Sequence, residues 1–193
     1  MSPIEIDSVL DSLVILRDTR EQDTERAEHR YKRFGVPCRK AVLDFGDYTY
    51  QATLPDGGKV VDESERIMPL ASVERKMNLD ELAGCFTHDR ARFQREMERA
   101  KEHGARMYVL VENATWEQIL LHRYRSKFLP KSFLASITAW MIRYDLQIIF
   151  CKEETTPILI KEILYRDLKE RLTRGEFDAG ERMDKVASKN DTV

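Results

Sequence analysis

Four charged residues fall within seven positions of the stretch ASVERKMNLDEL (71–82): Glu74, Arg75, Lys76 and, four residues past the lysine, Asp80. Alternate residues of an extended strand share a face, so Ser72, Glu74 and Lys76 point one way and Val73, Arg75 and Met77 the other. A carboxylate beside an ammonium at a strand end can hold a hard divalent cation and place a water next to it. Arg75 shares its face with apolar residues, so its charge needs a carboxylate partner or a route to solvent. Asp80 enters the first turn of the next helix, where the free amides favour an acid. Two more aspartates sit at strand ends. Asp18 closes an apolar run, and Asp47 follows Gly46, whose missing side chain lets the backbone bend toward a neighbouring strand. If those strands are adjacent, Asp47 and Glu74 converge near Lys76, with Asp18 available as a third oxygen ligand. Strand-end acids and i,i+2 ion pairs also form solvated salt ladders, so spacing by itself leaves both readings open.

The elements that must position these groups follow from periodicity. SLVILRD (12–18) reads as a buried strand. Asp23 or Thr24 caps a helix with Ala27, Tyr31 and Phe34 on one face and Gly35 as its stop. VPCRKAVLDFGDYTYQATLPDGG alternates and turns like strands and a hairpin, with a return strand and loop over 59–69. The E-R-K strand spans 68–77, and Asn78 with Glu81 resembles a capping box. Leu79, Leu82, Ala83 and Phe86, then Phe93, Met97 and Ala100, mark two helical segments. RMYVLVEN (106–113) and LQIIFCK (146–152) are continuously apolar strands. Helices are expected at about 115–127, 131–144 and 156–172, with Pro130 separating the first two. The sum is an α/β sandwich around a mixed sheet, one domain over 1–172, then a polar, flexible tail over 173–193.

Composition narrows the class. With 193 residues, 42% of them hydrophobic, the chain can bury a real core. No apolar run approaches a membrane span, and the N-terminus lacks a signal peptide's pattern. Three scattered cysteines form no CxxC pair, which points to a reducing, cytoplasmic setting; Cys85 and His88 lack the two further ligands a zinc site needs. Net charge is −2, yet no carboxylate lies between Glu117 and Asp145, where Arg123, Arg125, Lys127, Lys131 and Arg143 alternate with aromatics. Such a stripe fits phosphate binding, or two amphipathic helices with solvated cations. Neither a Walker loop, a GxGxxG fingerprint nor a GxSxG elbow is present.

The series Gly46-Asp47, Glu74-Arg75-Lys76 and Asp80, with LRDTRE (16–21) ahead of it, resembles the GD…ERKx3D signature of the XPF-type structure-specific endonuclease family. The resemblance covers roughly residues 13–172. It implies the restriction-endonuclease-like PD-(D/E)xK fold, a three-layer α/β arrangement with a central mixed sheet. It further implies a Mg²⁺-dependent DNA endonuclease, with Mn²⁺ able to substitute, acting on branched, flap or fork DNA in repair or recombination. In-line attack of water would leave a 5′ phosphate and a 3′ hydroxyl. Carried over by residue, Asp47 and Glu74 are metal ligands, Asp18 assists them, and the Arg75 carbonyl completes the shell. Lys76 positions or activates the water. Arg75, Asp80, Arg20 and Glu21 organise the site, one of those carboxylates partnering Arg75. Arg20, Arg123, Arg125, Lys127 and Lys131 become candidates for DNA contact. Asp44 and Glu112 are read as structural, and the four histidines as solvated surface. Family members often carry helix–hairpin–helix motifs after the nuclease domain; their absence here implies a stand-alone bacterial or phage version working in the cytoplasm. A homodimer through the late helices is implied by the same resemblance, with Trp140 at an interface or in the core. The family also includes silent partners, so a non-catalytic DNA-binding or scaffold subunit is the alternative; silent members lose motif residues that are all present here.

Overall fold

A computed structural model of the chain describes residues 1–63 and 65–178. Six strands form one mixed sheet in the order β2-β1-β3-β4-β5-β6. They are β1 (Val14–Asp18), β2 (Cys38–Ala41), β3 (Tyr48–Gln51), β4 (Ala71–Lys76), β5 (Arg106–Glu112) and β6 (Gln147–Cys151). β1 runs parallel to β2 and antiparallel to β3; β3 is antiparallel to β4; β4, β5 and β6 are mutually parallel. Helices cover both faces, giving the three layers expected from strands alternating with helices.

One face carries α1 (Pro3–Asp11), α2 (Glu25–Lys32) and α7 (Thr156–Thr173) over a core including Ile15, Tyr48, Tyr50, Val73 and Leu110. The other carries α3 (Leu79–Phe86), α4 (Arg90–Glu102), α5 (Trp116–Leu120) and α6 (Pro130–Tyr144). Their core is aromatic: Trp140 is 1% exposed and stacks on Phe93 with ring centroids 5.3 Å apart, which places it in the core rather than at an interface. The caps are those the sequence offers. Thr24 accepts from the Ala27 N–H, Asn78 from the Glu81 N–H, and Pro130 occupies the first turn of α6. Glu81 reaches past the cap to the Met77 N–H, so the expected capping box is displaced by one residue.

Several expectations are corrected. β2 and β3 are not neighbours, because β1 lies between them, and the chain turns at residues 55–58 as expected. The return strand over 59–69 reduces to isolated bridges, Thr53 with Lys59 and Leu43 with Ile67. The helix drawn to 127 ends at Leu120, and residues 121–129 form a loop whose turn at His122 has φ 52°. Pro130 begins α6 rather than separating two helices. Helix α1, whose capping box pairs Ser2 with Glu5, had no strong periodic signal. Of the polar tail, Phe177 packs against the core and Asp178 meets the amino terminus at 2.9 Å; residues 179–193 lie outside the described residues.

Gly46 sits at the turn into β3 with φ 72°. A Cβ built there would stand 1.9 Å from Ser72 Oγ, whose hydroxyl bridges the Phe45 and Tyr48 carbonyls at 3.2 and 3.0 Å. Positive φ and zero clearance both demand glycine. Replacing Gly46 with alanine should therefore cost about 2–4 kcal/mol of stability, measured by urea denaturation. An unchanged midpoint would show that the turn relaxes freely.

Candidate active site

Asp47 lies at the entry to β3 and Glu74 near the end of β4, and the antiparallel pairing of Tyr48 with Val73 brings these ends together. The Asp47 N–H donates to the Val73 carbonyl at 3.0 Å, and Asp47 Oδ2 accepts the Arg75 N–H at 2.7 Å. Lys76 Nζ donates to Glu74 Oε1 at 2.6 Å, as strand alternation requires of residues two apart. Asp47, Glu74 and Lys76 line one cleft of about 210 Å³ with Arg20, Glu21, Glu81, Arg92 and Glu96. Glu96 comes from α4, is buried, and accepts the Gly46 N–H at 2.9 Å.

The electrostatics are those of crowded acids, Glu74 and Glu96 buried and Asp47 half-buried. Burial first, and then the charge of Glu74, hold the Asp47 carboxyl well above its ordinary range. Burial and Glu74 also raise Glu96. Burial alone would depress Lys76, but Glu74 and Asp47 outweigh it and hold the ammonium charged. A divalent cation fits this set: hard oxygen donors whose mutual repulsion it would relieve. Among the described residues no three acids, histidines or cysteines form a ready-made metal cluster. The protein would thus offer Asp47 and Glu74, leaving the remaining positions to a backbone carbonyl and water.

Asp18 does not line the cleft. Its Oδ1 takes the Arg20 backbone N–H at 2.7 Å and Arg20 Nε at 2.6 Å, while Oδ2 takes the Leu43 N–H at 2.9 Å. It fixes Arg20 at the cleft and ties β1 to the chain before β3. Arg75 finds neither Glu21 nor Asp80. Its Nη1 pairs with fully buried Glu112 at 3.0 Å on the opposite face of the sheet, so the carboxylate read as merely structural is the partner.

Residues 17–160 match the ERCC4 domain. The chain belongs to that family. Its fold is similar to XPF from Aeropyrum pernix, with a TM-score of 0.54 at 21% identity over 80% of this chain. XPF from the same organism in complex with DNA gives a TM-score of 0.54 at 22% identity over 82% of this chain. This chain spans 61% and 66% of those two. A comparison with curated protein sequences finds no significant match. The restriction-endonuclease-like α/β architecture of XPF-type nucleases is thus the architecture of this chain.

In this ERCC4 domain Asp80 stands apart from the metal-type acids. Its Oδ1 accepts the Arg125 and Ser126 N–H groups, both at 2.7 Å, and its Oδ2 meets Arg125 Nε at 3.3 Å. Burial would raise its carboxyl, but the Ser126 and Arg125 donors hold it below the usual carboxylate range. Asp80 thereby pins the 121–129 loop beside α3, leaving Arg123, Arg125, Lys127 and Lys131 exposed. Glu96 and Arg92 were missed from sequence. A signal for Glu96 existed: it falls with Phe93, Met97 and Ala100 at i, i+3, i+4 and i+7, an acid on an otherwise apolar stripe.

A group whose folded pKa is raised stabilises the fold at low pH and loses that contribution as pH rises through the folded value. Ionised Asp47 should therefore weaken the metal-free protein at neutral pH. Asp47→Asn keeps an acceptor for the Arg75 N–H and removes the charge. It should raise the melting temperature at pH 7 in EDTA by about 2–4 °C, with the gain shrinking at acid pH. A lower melting temperature at pH 7 would contradict the crowding.

Proposed function

We propose that this ERCC4 domain is a Mg²⁺-dependent endonuclease that hydrolyses DNA phosphodiester bonds, with Mn²⁺ able to substitute, and prefers branched, flap or fork substrates in repair or recombination. The observation that carries the reading is the meeting of Asp47, Glu74 and Lys76 in one cleft at the edge of β3 and β4. The DNA bound by XPF from Aeropyrum pernix adds support by likeness of fold and family.

When bound, the cation would supply Lewis acidity and a counter-charge for the phosphate. The chain's own residues do the rest. Asp47, anchored by the Arg75 amide, and Glu74 present the oxygens that hold the metal. Lys76 is kept protonated by Glu74 and so serves as a donor rather than a base: it orients the attacking water or offsets the charge growing on the phosphate. Arg20, fixed by Asp18, faces the same cleft. The Asp80-pinned loop offers Arg123, Arg125 and Lys127, and the first turn of α6 offers Lys131, for phosphates flanking the break, which would give a 5′ phosphate and a 3′ hydroxyl. A homodimer through the late helices belongs to the same proposal, by likeness to the family. No helix among the described residues is long and apolar enough to cross a membrane, and we place the protein in the cytoplasm.

The test is cleavage of duplex, single-stranded, splayed-arm, flap and nicked DNA in Mg²⁺ or EDTA. Wild type should cut branched substrates in Mg²⁺ alone, and Asp47→Ala and Lys76→Ala should each lose roughly 10²-fold or more. Failure to cut any substrate would sink the enzyme, and binding without cutting would favour a scaffold subunit. Equal cleavage of plain duplex would remove structure selectivity only.

A further inference from the structure

Arginines continue beyond the cleft along a path the motif does not describe. The catalytic cleft shares Arg20, Glu21 and Arg75 with a larger neighbour of about 500 Å³ that also takes in Arg26 and Arg30. That neighbour shares Arg26 and Arg30 with a third cleft, of about 250 Å³, which reaches His29 and Arg33. Sharing these residues in series, the three trace one path from Asp47 and Glu74 past the start of α2 and along the side of α2 that faces Glu153 and Pro157. Arg26, His29, Arg30 and Arg33 recur at i, i+3, i+4 and i+7, which places them on one side of the helix and its last turn.

Of the acids lining the α2 stretch, Glu21, Glu81 and Glu153 are engaged, while Glu154 is exposed and forms no ion pair with a described residue. Glu21 accepts the Tyr48 hydroxyl at 2.7 Å and lies 3.5 Å from Arg30; Glu153 pairs with Arg26. Arg33 and His29 form no ion pair with a described residue, and both are exposed. Arg26 reaches Glu153 from the opposite wall, so the walls there stand about one ion pair apart. The pair closes the groove at that point; parting two side chains opens it to a single phosphodiester strand, whereas a duplex would require α2 itself to separate from the 153–157 wall. From residue 26 to residue 33 the helix advances roughly 10 Å, about three nucleotides of stacked strand at ~3.4 Å each.

We propose that this groove is the path of a single DNA strand leaving the catalytic cleft, its phosphates held by Arg26 and Arg33 with Arg30 behind them. The inference rests on the nuclease reading for the strand's identity. It assigns the single-stranded arm of a branched substrate to the α2 side, opposite the Asp80-pinned loop. When a strand enters, Arg26 exchanges Glu153 for a phosphate, and Glu153 is thus a gate acid that competes with DNA.

The exchange gives the test a sign that damage to the fold cannot mimic. Fluorescence anisotropy with a labelled 20-nucleotide single strand, a splayed arm and a plain duplex is measured in Ca²⁺, so that binding is read without cleavage. Arg26→Ala with Arg33→Ala should weaken single-strand and splayed-arm binding roughly tenfold and reduce the salt slope by about 1.4, two contacts at ~0.7 each. Glu153→Gln should tighten single-strand binding several-fold, and plain duplex should respond to neither change. Unchanged single-strand affinity and slope in the double variant, or weaker binding in Glu153→Gln, would overturn the groove. A loss confined to duplex would overturn it equally, by reassigning α2 to a duplex arm. Absence of cleavage by wild type in Mg²⁺ would instead strike the nuclease reading, and the anisotropy would still decide the groove.

Discussion

Asp47 and Glu74 are two carboxylates held close together in one cleft, Glu74 buried and Asp47 half-buried, and most of the local structure exists to keep them there. Left alone, such acids would take up protons or move apart. The arrangement prevents separation through the backbone: Asp47 is clamped by its own amide on Val73 and by the Arg75 amide on its side chain. Gly46 is locked on one side by Ser72 and on the other by Glu96. The charge is offset in part by Lys76, itself buried and therefore dependent on Glu74. An acid pair crowded in this way would gain from a divalent cation.

The E-R-K triplet divides its work across the sheet. Glu74 and Lys76 face α3 and α4 and line the cleft, while Arg75 crosses to the α2 and α7 side and joins β4 to β5 through Glu112. Removing either partner of that pair would strand a buried charge, so Arg75 braces the strand on which the functional groups stand. Asp80 does for the neighbouring loop what Asp18 does for Arg20. Each spends its oxygens on backbone and arginine donors: Asp18 sets Arg20 at the cleft, and Asp80 holds Arg125 on the exposed loop beside α3. Acids that resemble ligands in sequence are thus divided between those that face the cleft and those that hold the chain around it.

Where local pattern carried the signal, reading it was enough. The alternation of β4 predicts which way Glu74, Arg75 and Lys76 point, because side-chain direction in a strand is a property of two neighbouring residues. Thr24 and Asn78 announce their helices for the same reason: a cap depends on a hydroxyl or amide three residues from an N–H. The helix drawn through 121–127 failed because the Asp80 carboxylate, some 45 residues away, offers those amides a better partner than another helical turn.

Local pattern thus accounts for half of this protein: the six strands of the sheet and most of the helices, the need for glycine before Asp47, and a strand whose Glu74 and Lys76 share a face. Which carboxylate meets which donor is a matter of how distant segments pack. Arg75 with Glu112, Asp18 with Arg20 and Leu43, Glu96 with Gly46, and the row of α2 arginines beside Glu153 are settled by strand order and helix placement. The physical reason is the range of the forces. Backbone alternation and capping act within a few residues, whereas a buried charge is satisfied by whichever donor the fold brings within about 3 Å.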